Sequence, residues 1–431
     1  MKTYLLSRLS ESKIESLCKR KCLVSREVRK SAEKIRKDVI KNGDDAIIRL
    51  TEKFDGVLLK DLKVNENAFK ESDKFLSREL KEAILKARDN IWSFHEKQLP
   101  KGRRRVISKG IKCWQEFFPV EKAGLYIPAG TAPLFSTVLM LGIPAVIAGC
   151  SRIILCTPPC KEYEINPVII WTAKCIGLHE IYKTGGAQAI FAMAYGTKQI
   201  PAVDKIFGPG NAYVTAAKLL SSEVTSIDMP AGPSELLVIA DKTSDAEFVA
   251  SDLLSQAEHG KDSQVVLVCT DKSKSEEILE ELKLQLEDLP RKEIILEALK
   301  NSFVLIVENM EQALEFSNKY APEHLVLSSS NYRNYAGHIR NAGSVFLGKF
   351  SSESFGDYAS GTNHVLPTSG FARSCSGISV NDFMKCVSFQ HIKREGLMSL
   401  ATTVEIMSEK EELIAHKRAV SIRASKAGFV K

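Results

Sequence analysis

Along the first hundred residues apolar side chains recur at helical spacing. Val28, Ala32, Ile35 and Val39 form one set, and Leu80, Ala83, Ile84, Ala87, Ile91 and Phe94 another. Recurrence at three and four residues puts each set on one face of a helix, and Gly43 and Gly56 punctuate the first stretch. After Pro119 the pattern changes to short β-branched runs at 124–127, 152–156, 180–182 and 205–207, alternating with segments of helix length. A second series follows at 236–240, 265–269, 303–307 and 345–347, with helical stretches at 246–257 and 274–287 and a further strand at 324–327. Strands alternating with helices predict parallel sheets, so two α/β units are expected. From about Asn381 strand character gives way to a charged tail, ending SEKEELIAHKRAVSIRASK, that reads as helical and suits packing on a partner subunit. No solenoid repeat is present, and whether the two α/β halves descend from one duplicated unit stays open.

Composition narrows the class without changing this picture. A chain of 431 residues is long enough for two or three domains, and its 44% hydrophobic and 26% charged content excludes disordered, collagen-like and coiled-coil proteins. The longest apolar stretch, 137–150, is interrupted by Pro144 and two glycines and is too short to cross a bilayer. The N-terminus carries neither a long apolar core nor a small-residue cleavage site, so a cytoplasmic location is expected. Ten cysteines scattered singly through a large chain read as free thiols in a reducing compartment. A net charge of +7 is modest for this length, and the densest basic run, at 101–105, lacks interleaved aromatics. It reads as a solvated turn, and neither nucleic acid nor membrane is an expected partner.

Candidate chemistry gathers in a few segments. Lys205-Ile-Phe-Gly-Pro-Gly-Asn-Ala-Tyr213 reads as strand, glycine turn and helix, which leaves backbone N–H groups where a phosphate could sit, and Thr184-Gly-Gly-Ala-Gln188 repeats that grammar. Neither is the G-x-G-x-x-G fingerprint, and glycine turns after strands are common for geometric reasons alone. Gln256 and His259 share one face at the end of a helix stopped by Gly260, although a histidine there more often serves the terminal carbonyls than a metal. In Tyr320-Ala-Pro-Glu-His324 a carboxylate and an imidazole follow a proline. Together they could accept protons, and a surface loop is the bland alternative. The stretch 353–368, rich in small and polar residues and carrying Asp357 and His364, reads as a binding loop. Glu411 and His416, five apart, lie about 140° around an ideal helix and so cannot share a face. Cys150, Cys156 and Cys160 near a strand leave covalent thiol chemistry open, and a metal-bound water activated by Glu323 or His324 would make a hydrolase.

Taken together, AGLYIPAGTAPLFSTVLM, TGGAQAI, DKIFGPGNAYV, IDMPAGPSELLVIA, SDLLSQAEHG, YAPEHL, GDYASGTNHVLPT and the AHK of the tail resemble the histidinol dehydrogenase family, in this order, from Gly124 to His416. The resemblance implies an α/β fold of two incomplete Rossmann-like parallel-sheet domains with small helical dimerisation segments at both ends. Residues 1–23 would form the N-terminal segment, 24–122 with 236–380 the domain bearing zinc and catalytic residues, 123–235 the NAD-contacting domain, and 381–431 the tail crossing to a partner. It implies one zinc ion per subunit, held by Gln256, His259, Asp357 and a His416 supplied from the neighbouring subunit of a homodimer. Catalysis would fall to His324 as proton acceptor and to Glu323, which would activate water. L-Histidinol would become L-histidine through a bound aldehyde, with two NAD reduced in the last steps of histidine biosynthesis. Tyr126, Gln188 and Asn211 would contact NAD. Ser234, Gln256, His259, His324, Asp357, His416 and a Glu411 from the partner would hold substrate, and His364 matches a further pocket histidine. The one local departure is Ala129, where the family commonly has glycine; an alanine there needs negative φ.

Overall fold

The computed structural model describes residues 1–20, 24–100, 105–129, 132–161, 164–230 and 232–428. Most of the basic run at 101–105 and Gly130, the neighbour of Ala129, lie outside them. The chain divides into two units, Met1–Gln98 with Val120–Phe383, and Leu99–Pro119 with Met384–Lys431. No helix among the described residues is long and apolar enough to cross a membrane.

Among the described residues fourteen strands are labelled in chain order. In the first unit β1 (Lys2–Leu5), β11 (Phe303–Ile306), β10 (Gln264–Cys269), β9 (Glu235–Ala240), β12 (His324–Ser328) and β13 (Ser344–Leu347) lie side by side in that order, all parallel. A second parallel sheet runs β6 (Ile181–Lys183), β5 (Arg152–Thr157), β4 (Lys122–Tyr126), β7 (Lys205–Phe207) and β8 (Ser226–Ile227). Apart from the edge strand β1, both sheets are wound alike: two strands are added on one side of the first, the chain crosses back, and two follow on the other. All six residues of β9 are buried, as a parallel strand covered on both faces requires. The expected strands are found within a residue or two. The helix expected at 246–257 is Ala246–Ala257, started by the Asp245 carboxylate on the Phe248 N–H.

The first hundred residues are distributed differently from the expected boundaries. The helix Arg26–Asp55 is capped by Ser25, broken by Gly43 at φ 52° and ψ −128°, and ended by Gly56 at φ 68°. Its Ala32, Val39, Ala46 and Ile47 share a core with Tyr126, Ile190, Phe191 and Val214. The helix Arg26–Asp55 therefore packs on the five-stranded sheet. Residues 1–20, expected as a dimerisation segment, are built into this chain's own six-stranded layer, with Tyr4, Leu6, Leu9, Ile14 and Leu17 packed around Phe303 and Met310.

In the second unit β14 (Met384–Ile392) pairs antiparallel along the whole of β3 (Ile111–Pro119), whose far side takes β2 (Arg105–Ser108). This corrects the all-helical tail. Seven of the nine residues of β14 are exposed, so the strand carries no apolar alternation to betray it. Two helices follow, Arg394–Lys410 and Ile414–Lys426. The chain reverses between them through Glu412 at φ 60°, and Lys417 Nζ meets Glu409 across the hairpin at 2.7 Å. Glu411 and His416 therefore do not lie on one helix, and the 140° argument does not apply: both sit, exposed, at the tip of the hairpin.

Candidate active site

In a parallel α/β sheet the helix after a strand runs back, so its C-terminal end returns to the edge where strands begin. The helix Ala246–Ala257 accordingly delivers Gln256 and His259 to the starts of β9 and β12, where Ser234, Glu235, Glu323 and His324 lie. These two strands are neighbours at the point where the winding reverses, with His324 opposite Leu236. Local chemistry fixes the approach. Ala321 adopts φ 54° and ψ 67°, donates its N–H to the Ser317 carbonyl at 2.8 Å and so stops the helix Met310–Tyr320; Pro322 then sends the chain into β12. Glu323 and His324 are 5% and 4% exposed, which overturns the surface-loop reading. The stretch 353–368 is not an open loop either: it starts as the helix Glu353–Tyr358, and most of 361–368 is buried.

Five side chains converge. His259 Nε2 lies 3.8 Å from Asp357 Oδ2, and His324 Nε2 lies 3.6 Å from Asp357 Oδ1. The other nitrogen of His324 faces the Glu235 carbonyl at 3.3 Å, Glu353 Oε1 at 3.5 Å and Glu323 Oε2 at 3.8 Å. The Glu235 N–H donates to Glu323 Oε2 at 2.8 Å and fixes that carboxylate. The Glu235 side chain is engaged elsewhere, in a buried bidentate pair with Arg20. His364 accompanies the cluster: its Nδ1 is 2.8 Å from the Asp357 carbonyl and its Nε2 3.1 Å from Thr137 Oγ1.

Burial pushes the Glu323 carboxyl up to about 8, with the His324 ring pulling against it. Burial alone would lower His324, but Glu353, Glu323 and Asp357 outweigh it and raise the ring to about 10. So many carboxylates around one imidazole leave negative charge that a divalent cation would offset, bringing His324 back towards neutrality. The donor set suits such an ion. His259, Glu353 and Asp357 can bring ligand atoms within 4.8 Å of one another. Gln256, fully buried, has hydrogen-bond partners for neither amide atom among the described residues. Mixed nitrogen and oxygen donors at this number fit zinc.

The residues expected to contact NAD lie at the opposite type of edge, where strands of the five-stranded sheet end. Tyr126 closes β4, and its hydroxyl accepts the Gly186 N–H at 3.0 Å, at the start of the helix Gly186–Tyr195. That helix has no cap from its N-cap residue Gly185, so beyond the Gly186 N–H its first-turn N–H groups are open to an anion, and Gln188 is buried in that turn. At the other glycine turn the Asn211 side chain accepts from the N–H groups of Tyr213 and Val214, which partly uses up the phosphate cradle expected there. Gly208, at φ 133°, passes so close to Tyr126 that any Cβ would run into its carbonyl. Ala129 is not among the described non-glycine residues with positive φ.

The structure thus brings together His259, Glu323, His324, Asp357 and His364, with Gln256 buried in the last turn of the helix before His259 and Ser234 one residue before β9. Glu411 and His416 belong to the second unit. Glu353 was missed; its only trace in the sequence is a position four residues before Asp357, one turn along the same helix. Thiol chemistry finds no support: burial pushes Cys150 up to about 11 and Cys156 higher still, which suppresses the thiolate.

The family model described as histidinol dehydrogenase matches residues 18–424. The histidinol dehydrogenase of Haemophilus influenzae is 49% identical over 428 residues, 99% of each chain, and that of Bacteroides thetaiotaomicron is 48% identical over 96% of this chain and 97% of its own. The crystal structure of histidinol dehydrogenase from Elizabethkingia anophelis superposes with a TM-score of 0.95 at 47% identity, covering 99% of both chains.

Proposed function

The chain belongs to the histidinol dehydrogenase family, and from that premise we propose that it oxidises L-histidinol to L-histidine through a bound aldehyde, reducing two molecules of NAD. The observation that carries the reading is the setting of His324: one nitrogen beside the Glu235 carbonyl, the other without a hydrogen bond among the described residues and facing Asp357. A ring so placed can take a proton only on its free nitrogen, Nε2.

In the proposed sequence His324 accepts the hydroxyl proton of histidinol as hydride leaves the same carbon for the nicotinamide. Glu323, with one oxygen held by the Glu235 N–H and a carboxyl tuned near neutrality, takes a proton from the water that hydrates the aldehyde. His324 serves again when the hydrate gives up the second hydride. Alcohol to carboxylate is a four-electron oxidation, so two cofactor molecules must be used in turn. Gln256, His259, Asp357 and the His416 of a neighbouring subunit would hold zinc, which when bound supplies positive charge to anchor the substrate's imidazole and amine. Ser234 and Glu411, the latter again from the neighbour, would complete the substrate pocket, with His364 beside it. Tyr126, Gln188 and Asn211 would hold NAD at the strand ends of the five-stranded sheet. The protein would then work as a cytoplasmic homodimer whose two sites each draw on both chains.

The test is the amount of NADH formed per L-histidinol consumed by zinc-loaded protein, with the product identified chemically. Two NADH and histidine are expected. One NADH with free aldehyde would remove Glu323 from its role, and no NADH would bring the hydrolase reading forward.

A further inference from the structure

The short helix Glu353–Tyr358 carries two carboxylates one turn apart, and they address the two nitrogens of the same imidazole. Asp357 meets His324 Nε2 at 3.6 Å and Glu353 meets Nδ1 at 3.5 Å. Around Nδ1 stand the Glu235 carbonyl, which can only accept, and the carboxyl oxygens Glu353 Oε1 and Glu323 Oε2. Nδ1 therefore carries the hydrogen, and Nε2 the lone pair. The three oxygens are not equivalent. The Glu235 carbonyl is neutral, and Glu323 Oε2 already accepts the Glu235 N–H. Glu353 is 2% exposed and has no hydrogen bond to either oxygen among the described residues. Burial and the neighbouring carboxyls of Asp357, Glu323 and Asp252 push the Glu353 carboxyl well above its ordinary range, and the His324 ring pulls it back.

We infer that Glu353 is the positioning residue of the reaction: set against Nδ1, it holds the His324 ring so that Nε2 is the nitrogen left to take the substrate's hydroxyl proton. This rests on His324 being the proton acceptor. The competing role is metal ligand, because Glu353 can also approach His259 and Asp357. An amide separates the two. Glu353→Gln removes the carboxyl that faces Nδ1 and offers an amide in its place, which loosens the hold on the ring with zinc retained, whereas a lost metal ligand would lower zinc content.

The experiment compares zinc-loaded wild type with E353Q, E353D, H324Q and the E353Q/H324Q double variant, measuring kcat, KM for histidinol and zinc per chain. For E353Q, kcat is expected to fall about 10²- to 10⁴-fold, with KM changed less than about threefold and zinc content unchanged. E353D, which keeps the carboxyl one methylene further away, recovers part of the loss. The double variant is no slower than H324Q, because the two residues act as one unit. Loss of zinc in E353Q, losses that multiply in the double variant, or equal rates for E353Q and E353D would each overturn the inference. Near-normal turnover by H324Q would instead bring down the assignment of His324 on which it rests.

Discussion

Lys218 and Asp228 form an ion pair almost wholly out of water, and between them they grip both ends of one peptide residue: the Lys218 ammonium donates to the Gly208 carbonyl at 2.9 Å, while Asp228 accepts the Gly208 N–H at 2.8 Å. The glycine turn of the proposed cofactor site is held from beneath. Lys218→Met is expected to raise KM for NAD about tenfold and to destabilise the fold by roughly 3–5 kcal/mol, because it leaves a buried carboxylate uncompensated. KM for histidinol should stay within a factor of two. Equal effects on both Michaelis constants would show that the turn has no special tie to the cofactor.

Tyr126→Phe removes only the hydroxyl that accepts the Gly186 N–H. The stability cost is expected to be about 1 kcal/mol, read from a denaturant midpoint. KM for NAD should rise several-fold with kcat little changed, and an unchanged KM would take Tyr126 out of the cofactor site.

Gln256→Met should separate stability from function. It deletes two buried amide atoms that have no hydrogen-bond partners among the described residues, so protein stripped of zinc should gain on the order of 1 kcal/mol. Zinc retained after dialysis falls and KM for histidinol rises. Wild-type zinc content in this variant would exclude Gln256 as a ligand.

Asp55, whose carboxyl is pushed up to about 6 by burial, has one oxygen without a hydrogen bond. A folded-state pKa above the unfolded value of about 3.9 means that its contribution is intact below pH 4 and is lost as pH rises through 6. Asp55→Asn should therefore stabilise the protein by about 1–2 kcal/mol at pH 8 and not at all at pH 4. Melting curves at the two pH values decide it, and equal shifts at both would reject the cause.

The proposed sharing of each site between two subunits predicts complementation. His416→Ala and Asp357→Ala should each be inactive alone. After subunit exchange, half of the dimers are mixed and each mixed dimer holds one intact site, so activity should return to about a quarter of wild type. Truncation before Glu411 should abolish activity while leaving most of the fold. No recovery on mixing, or full activity of the truncated chain, would place each site within one subunit.

The parallel strands were legible because they are buried on both faces and leave apolar runs, as in β9 and β10. β14 was not, since the exposed face of a small antiparallel sheet places few demands on hydrophobicity. Allocation of the helix Arg26–Asp55 to a sheet was equally hidden: periodicity tells which face is apolar but not what it meets. At the site, Glu323, His324, Gln256, His259 and Asp357 were individually ambiguous, and their convergence depends on strand starts and helix ends meeting at one edge. Glu353 escaped because a lone glutamate in sequence looks like a solvated one.

The place of β1 has a consequence for biosynthesis. Lys2 pairs with Phe303, so among the described residues the strand partner of β1 is made some 300 residues after it. At ordinary elongation rates of roughly 5–20 residues per second, Tyr4 and Leu6 wait about 15–60 seconds for that partner, by which time all five strands of the other parallel sheet have been synthesised. Removal of β1 would leave β11 as a bare edge open to other chains.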